Sequence, residues 1–156
     1  RKRAGKIVLN FPASELEEIP FPKNIEKAFG KVPEKCIRGK EDLMLVFDSE
    51  NKIKNLQPNF DYLKTLDARG IIATAKSVTF DFVSRFFAPV EGINEDPVTG
   101  SAHTVLIPYW AKELGKPELS AKQISLRSGL LQCKYLNNRV EIGGKAVTYL
   151  TGTIKL

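Results

Sequence analysis

Residues 95–115 read EDPVTGSAHTVLIPYWAKELG and join a polar segment to a helical pattern. The apolar side chains recur at intervals of three and four residues, which places them on one stripe of a helix. The stripe consists of Ala102, Val105, Leu106, Tyr109, Trp110 and Leu114. Because Gly115 and Pro117 are typical of a helix end, we predict a buried helix over about residues 101–114. A kink is expected at Pro108, which removes one helical hydrogen bond at a cost of roughly 3 kcal/mol.

A polar turn opens the predicted helix. Thr99 or Ser101 can cap it, and the first backbone N–H groups after the cap have no partner inside the helix. These groups and the positive end of the helix dipole are suited to a carboxylate or a phosphate. Gly100 allows a ligand to approach the backbone closely. Asp96 therefore lies beside a predicted anion site.

The composition is typical of one globular domain spanning residues 1–156. Hydrophobic residues make up 42% of the chain and charged residues 27%, which is far from the composition of disordered proteins. No run approaches 18 consecutive apolar residues, and no signal-peptide pattern opens the sequence. We therefore expect a cytoplasmic protein that does not bind a membrane.

The charge distribution and the few potential metal ligands argue against two classes of function. The net charge is +6, but the 24 lysines and arginines are scattered. The one basic cluster, Arg1–Arg3, has no aromatic neighbours for base stacking, so no nucleic-acid partner is expected. Cys36 and Cys133 lie in apolar runs and are expected to be buried free thiols. Because the chain has a single histidine, no metal site is expected.

Most of the remaining chain has strand-like patterns. The apolar run at residues 43–47 has no polar face, which is typical of a strand in the centre of a sheet. Strands are predicted at residues 7–11, 35–38, 42–48, 71–75, 82–87, 130–135, 140–142, 146–150 and 152–156. A hairpin turn is predicted at 1–6, helices at 24–29 and 58–67, and a helical turn at 120–123. The predicted fold class is α+β, with a curved mixed β-sheet rolled round the central helix at about 101–114.

Several polar side chains near the helix start have both a structural and a chemical interpretation. Ser101 is a poor candidate nucleophile, because there is no G-x-S-x-G elbow and the only histidine, His103, points elsewhere round the helix. His103 is expected to be a packed structural ring. Asp96 fits a plain turn residue, but the polar cluster around it favours a functional role. For Arg85 we favour a structural ion pair over contact with an acidic substrate. Its candidate partners are Glu91, Glu95 and Asp96.

Six short motifs carry a resemblance to a known family. They are DF (81–82), SRFFAP (84–89), EDPVTGSAH (95–103), PYW (108–110), QIS followed by Arg127 (123–127) and GGKA (143–146). In this order and spacing the chain resembles the phenazine-biosynthesis (PhzF-like) isomerase family over residues 7–156. The resemblance implies a diaminopimelate epimerase-like fold of two pseudo-symmetric halves, each a curved sheet round a central helix, with the active site between the two helix starts. This chain resembles the second, C-terminal half only.

The resemblance implies cofactor-independent proton transfer on a small, carboxylate-bearing, amino acid-like substrate, with neither cofactor nor metal. Asp96 and Ser101 match the family's substrate-contacting Asp and Ser and are the expected catalytic residues. Thr99, Gly100 and Ala102 are the expected substrate-binding residues, at the same helix start where the sequence predicts an anion site. Related epimerases carry a catalytic cysteine where Asp96 stands, so racemisation by two cysteines is not expected here.

The family's main acid/base group, a glutamate of the first half, is not among these 156 residues. We therefore expect the chain alone to be inactive and its parent protein to be a biosynthetic isomerase. The expected partners are the substrate, the N-terminal half-domain and a second copy of the protein, because relatives are commonly homodimers. The alternative is a non-catalytic PhzF-like protein-interaction module.

Overall fold

The structure, a computed structural model, describes residues 2–3 and 5–154. Over this part of the chain it consists mainly of strands, with a few short helices. The strands are β1 (Lys2–Arg3), β2 (Lys6–Pro12), β3 (Glu17–Glu18), β4 (Lys35–Arg38), β5 (Asp42–Phe47), β6 (Gly70–Lys76), β7 (Phe82–Ala88), β8 (Ile93–Asp96), β9 (Glu118–Gln123), β10 (Gly129–Leu136) and β11 (Arg139–Gly144). The α-helices are α1 (Glu50–Lys54), α2 (Phe60–Leu63) and α3 (His103–Leu114), and 3-10 helices lie at Ile25–Ala28 and Pro89–Glu91.

The strands form one mixed sheet in the order β1-β2-β11-β10-β9-β7-β6-β5-β4-β3, and β8 pairs with β7 beside this path. The pairs β5/β6 and β7/β9 are parallel and the other pairs are antiparallel. Parallel neighbours need a long crossover connection, usually helical. Helices α1 and α2 lie in the first crossover, and α3 lies in the second.

Two hydrophobic clusters cover the two faces of the sheet at β5, β6 and β7. Successive residues of a strand point to opposite faces. Accordingly, Met44 belongs to the cluster that contains α3, and Leu45 belongs to the cluster that contains residues of α1 and α2. Phe86 and Phe87 divide between the clusters in the same way. Burial on both faces explains why these strands are apolar without a polar side, as predicted for residues 43–47.

Helix α3 is buried along most of its length and continues through Pro108 to Gly115, whose φ of 64° ends it in the left-handed region. Pro108 cannot donate to the carbonyl of Thr104, four residues earlier. The amide of Ser14 donates to that carbonyl instead, at 3.0 Å. A segment outside the helix therefore satisfies the acceptor that proline leaves free. The kink expected at Pro108 stays a prediction.

Trp110 anchors the middle of α3 to the sheet. Its ring stacks on Phe82 of β7 with a centroid distance of 5.7 Å. Its Nε1 donates to Thr74 Oγ1 of β6 at 3.0 Å, and the Thr74 hydroxyl donates to the carbonyl of Val83. The indole is thus packed and hydrogen-bonded at the same time, which a buried tryptophan requires.

Four predictions about the elements are wrong. The helical turn predicted at 120–123 is part of β9, where Leu119, Ala121 and Gln123 are buried in strict alternation. The strands predicted at 146–150 and 152–156 are irregular, exposed chain as far as residue 154, and residues 155 and 156 lie outside the described part. The helix predicted at 58–67 is helical only over Phe60–Leu63, and α1 was not predicted. The short helix predicted at about 24–29 is present as a 3-10 helix over Ile25–Ala28.

The turn predicted at 1–6 corresponds to the connection between β1 and β2, which pair antiparallel. Arg1 and Ala4 lie outside the described residues. Among the helices of the described chain, none combines the length and the apolar character needed to cross a membrane.

Candidate functional site

The candidate site is the segment that joins β8 to α3. Asp96 is the last residue of β8, where it pairs with Phe86 of β7. Val98 packs so closely against the start of β10 that a Cβ atom on Gly129 would lie 2.4 Å from its Cγ2 atom. The segment is therefore held between two strands before it reaches the helix.

Gln123, at the end of β9, ties this segment to the sheet. Its Oε1 accepts from the amide of Thr99 at 2.8 Å, and its Nε2 donates to the carbonyl of Asp96 at 2.7 Å and to Thr99 Oγ1 at 3.2 Å. The Thr99 hydroxyl donates in turn to Asp96 Oδ2. Gln123 is completely buried and Thr99 nearly so, so solvent competes little for these hydrogen bonds.

His103 fixes the carbonyl of the same threonine. Its Nδ1 donates to Thr99 O at 2.7 Å, and its ring lies near Phe82 with a centroid distance of 6.1 Å. The imidazole is fully buried, and its Nε2 has no partner among the described residues. Burial lowers the pKa of His103 to about 4, although the hydrogen bond to Thr99 opposes this shift. His103 is therefore a neutral, packed ring, which agrees with the structural interpretation.

The first turn of α3 presents backbone amides without protein partners. The amides of His103 and Thr104 donate to the carbonyls of Gly100 and Ser101. The three preceding amides, those of Gly100, Ser101 and Ala102, make no hydrogen bond within the described part of the chain. A helix start of this kind attracts an anion.

The predicted capping by Thr99 or Ser101 is wrong. Ala102, in a helical conformation, occupies the N-cap position and makes no side-chain hydrogen bond. The Thr99 hydroxyl is engaged by Asp96, and Ser101 Oγ accepts from Arg69 instead. The amides at the helix start consequently keep their hydrogen-bonding capacity.

Arg69 joins the candidate site from a distant part of the chain. Its Nη2 donates to Ser101 Oγ at 3.1 Å and to Asp42 Oδ2 at 2.6 Å, and its guanidinium lies over the ring of Phe86 at 5.6 Å. Asp42 is 3% exposed, and its Oδ1 has no hydrogen-bond partner among the described residues. Burial raises the pKa of Asp42, and the charge of Arg69 opposes that rise. Because arginine can only donate, Ser101 must accept, and its own hydroxyl proton is free to point elsewhere.

Two grooves flank the segment. The Ser101 groove, of about 800 Å³, is lined by Ser101, Thr104, Arg69, Arg38 and Ser14 together with the chain around them. The Gly100 groove, of about 840 Å³, is lined by Gly100, Val98 and apolar side chains of β2 and β10. Ser101 is exposed and Asp96 and Gly100 are half-buried, whereas Ala102 is buried, so its apolar side chain is not open to a ligand.

The sequence places this chain in a known family. The sequence model of the phenazine biosynthesis-like proteins (PhzC-PhzF) matches residues 5–152. The chain belongs to this family. An uncharacterized isomerase of Pseudomonas aeruginosa is 46% identical to it over 156 residues, which are 100% of this chain and 60% of the relative. Phenazine biosynthesis-like domain-containing protein 2 of Mus musculus is 38% identical over 179 residues, covering 99% of this chain and 60% of that protein.

Solved structures of PhzF family proteins agree with the mixed, strand-rich fold. A crystal structure from Enterococcus faecalis superimposes with a TM-score of 0.90 at 42% identity, over 99% of this chain and 60% of that chain. A PhzF family protein of Bacillus anthracis, 16% identical, shares the fold with a TM-score of 0.71. The chain thus spans about 60% of the length of the relatives it matches.

Within this PhzF family chain, Arg85 has the structural role that the sequence favoured. Its Nε and Nη2 donate to the two carboxylate oxygens of Glu95 at 2.7 and 2.8 Å, and its Nη1 donates to the carbonyls of Ile53 and Leu56. Burial acts to raise the pKa of Glu95, but the hydrogen bonds from Arg85 and Ser125 and the charge of Arg85 together outweigh it, so the pKa is lowered. This pair therefore fixes the strand that leads to Asp96.

The cysteines are buried free thiols, as predicted. Burial raises the pKa of Cys36 to about 11 and that of Cys133 to about 12, so both stay protonated at neutral pH. In the described chain, no group of three or more His, Cys, Asp or Glu side chains is arranged to hold a metal ion.

Sequence reasoning missed two residues that this PhzF family structure brings to the site. Gln123 belongs to one of the motifs of the resemblance, but its strand does not alternate clearly in hydrophobicity, so its contacts with Thr99 and Asp96 were not predicted. No local sequence pattern predicts the contact of Arg69 with Ser101. Arg69 lies 32 residues before Ser101 and meets it only because β6 packs beside β7.

Proposed function

We propose that this chain forms one wall of the active site of a cofactor-independent, PhzF-like isomerase. The enzyme would move a proton, by acid/base chemistry, on a small carboxylate-bearing substrate of the amino acid type. The family and the name of the Pseudomonas aeruginosa relative, an isomerase, support this class of reaction.

One observation carries the proposal: three consecutive unpaired amides, those of Gly100, Ser101 and Ala102, precede a long buried helix. The substrate carboxylate would accept hydrogen bonds from these amides and gain from the positive end of the helix dipole. The Ser101 hydroxyl, which accepts from Arg69, would donate its proton to the substrate.

Asp96 would be the acid/base group on this wall. Its carboxylate accepts from Thr99 through Oδ2, and no hydrogen bond to its Oδ1 is formed within the described chain. General acid/base catalysis requires a group within hydrogen-bonding reach of the proton that moves. Transfer between two faces of a carbon needs a second such group. We assign that group to the part of the PhzF architecture outside the matched segment, the half whose helix start would face that of α3.

The fold supports this division of the site. The match to the Enterococcus faecalis structure uses nearly all of this chain but only 60% of that one. In the proposed architecture the sheet curves round α3, and the site lies in the cleft between this half and the other. The proposal involves no metal and no cofactor, and it places the enzyme in the cytoplasm as a homodimer.

The experiment is hydrogen exchange in D2O with a chimera. This chain replaces the matched segment of the 46%-identical Pseudomonas aeruginosa relative, and a panel of β-hydroxy amino acids is followed by NMR. We expect the chimera and the unmodified relative to incorporate deuterium at the same substrate carbon, whereas the 156-residue chain alone incorporates none. Asp96→Asn in the chimera is expected to abolish exchange, with Asp61→Asn as an exposed control.

Two outcomes would contradict the proposal. Exchange by the 156-residue chain alone would show that no second half is needed. Full exchange by the chimera carrying Asp96→Asn would remove Asp96 from the reaction.

The second candidate function is a protein-interaction module. It is favoured by exposed apolar side chains that line the Gly100 groove, including Ile7 (40% exposed), Leu9 (48%) and Leu130 (62%). Exposed apolar surface of this kind is typical of a protein contact. A chimera that is inert while the relative is active would favour this function over catalysis.

A further inference from the structure

We infer that Gln123 is a positioning residue for Asp96, acting through Thr99. Gln123 makes the Thr99 hydroxyl donate to Asp96 Oδ2, which holds the carboxylate in one orientation and leaves Oδ1 for the ligand. Thr99 therefore acts on Asp96, although the sequence had suggested a substrate-binding residue. The inference rests on the proposed function only in taking Asp96 as the group that meets the substrate.

The chemistry of the donors fixes the direction of every hydrogen bond in this network. The amide of Thr99 can only donate, so the side-chain atom of Gln123 that faces it must be the oxygen. The NH2 group of Gln123 consequently faces Thr99 Oγ1 and the carbonyl of Asp96. Because Thr99 Oγ1 accepts from Gln123, its single proton is directed to the Asp96 carboxylate.

The network leaves Thr99 no group for a ligand. Its amide donates to Gln123, its carbonyl accepts from His103, and its hydroxyl is bonded on both sides. Thr99 is 8% exposed and Gln123 is 0% exposed. Gln123 itself is fixed by the pairing of β9 with β7, where it lies opposite Ser84. The rigid end of the network is thus in the sheet, and the half-buried end is the carboxylate.

Two substitutions distinguish a role of Gln123 in orienting the Asp96 carboxylate from a role in only holding the loop in place. Gln123→Glu replaces the donor by a second acceptor, which competes with Asp96 for the one hydroxyl proton. Thr99→Val removes the hydroxyl but keeps both hydrogen bonds of Gln123 to the backbone of the segment. Thr99→Ser keeps the hydroxyl and is the conservative rescue. Matched controls on exposed positions are Gln132→Glu and Thr65→Val.

The readout is the rotamer population of Asp96, measured from three-bond couplings in the ligand-free chain at neutral pH. We expect one staggered rotamer in the unmodified chain, in Thr99→Ser and in both controls. We expect Thr99→Val and Gln123→Glu to lose this single rotamer and to average over at least two. In the Thr99→Val background, Gln123→Glu can act only through its lost hydrogen bond to the carbonyl of Asp96, so the effects of the two substitutions are expected to be clearly less than additive.

A single Asp96 rotamer in folded Thr99→Val would overturn the inference, and so would additive effects of the two substitutions. If Gln123→Glu does not fold, Thr99→Val decides the question alone, because it leaves the backbone hydrogen bonds of Gln123 in place. No substrate enters this measurement. Failure of the proposed function, seen as absent deuterium exchange by the chimera, is therefore distinguishable from failure of the positioning network.

Discussion

His103 should make the stability of this chain depend on pH between neutrality and pH 5. It is the only histidine in the sequence, so histidine titration has one source. The ring is fully buried between Phe82 and the carbonyl of Thr99, and burial lowers its pKa to about 4. An unfolded histidine has a pKa of about 6.5.

The sign of the effect follows from these two values. Between pH 6.5 and pH 4 the unfolded chain binds a proton that the folded chain excludes, so acidification favours unfolding. The stabilisation is complete above the unfolded pKa and is lost as the pH falls through this window. One pKa unit corresponds to about 1.4 kcal/mol, and integration from pH 7 to pH 5 gives a loss of about 2 kcal/mol in the free energy of unfolding. For a chain of this size, the midpoint of thermal unfolding falls by about 5 °C.

Urea unfolding at pH 7, 6 and 5, compared with the variant His103→Gln, measures this loss. The variant has no imidazole, so its free energy of unfolding should vary less with pH by about 2 kcal/mol over the same range. The titration of Asp42 does not interfere with this comparison. Its pKa is raised by burial, so its protonation acts in the opposite direction, and equally in both proteins. Equal pH dependence of the two proteins would refute the assignment of His103 as a buried neutral ring.

Three substitutions test other parts of the structure. Arg85→Met should lower the free energy of unfolding in urea by about 3 kcal/mol, because it leaves the carboxylate of Glu95 without its bidentate partner; a change under about 1 kcal/mol would contradict this. Arg69→Lys should lower the free energy of unfolding by less than Arg85→Met does. It should weaken carboxylate binding several-fold in an NMR titration, because lysine lacks the guanidinium group that reaches Ser101. Unchanged binding would remove Arg69 from the site. Gly115→Ala should lower stability by about 1 kcal/mol, because it places a side chain at a φ of 64°, and an unchanged thermal midpoint would argue against this helix end.

The elements predicted correctly from the sequence are those whose burial leaves a pattern. Strands β5, β6 and β7 are apolar runs because both faces are covered, and α3 carries a stripe at helical spacing. Strand β9 was missed because its residues do not alternate clearly in hydrophobicity, and its identity depends on pairing with β7 and β10. The end of the chain was over-interpreted, because alternation at Val147 and Tyr149 predicts a strand only where a neighbouring strand exists to pair with it.

The candidate site likewise combines residues that a local pattern predicts with residues that only strand pairing brings together. Asp96 and residues 99–102 are adjacent in the sequence, so their composition and the helix that follows were enough to predict an anion site. Gln123 and Arg69 reach this segment from 24 and 32 residues away. Their roles depend on which strands pair, and no local pattern carries that information.

An NMR titration of the 15N-labelled chain with acetate shows whether the amides at the start of α3 hold a carboxylate. Acetamide, which has nearly the same shape without the charge, and sodium chloride at matched ionic strength are the controls. We expect saturable shifts of the amides of Gly100, Ser101 and Ala102 with acetate, and no such shifts with either control. Acetate shifts that leave these three amides unmoved, or that chloride reproduces, would contradict this expectation.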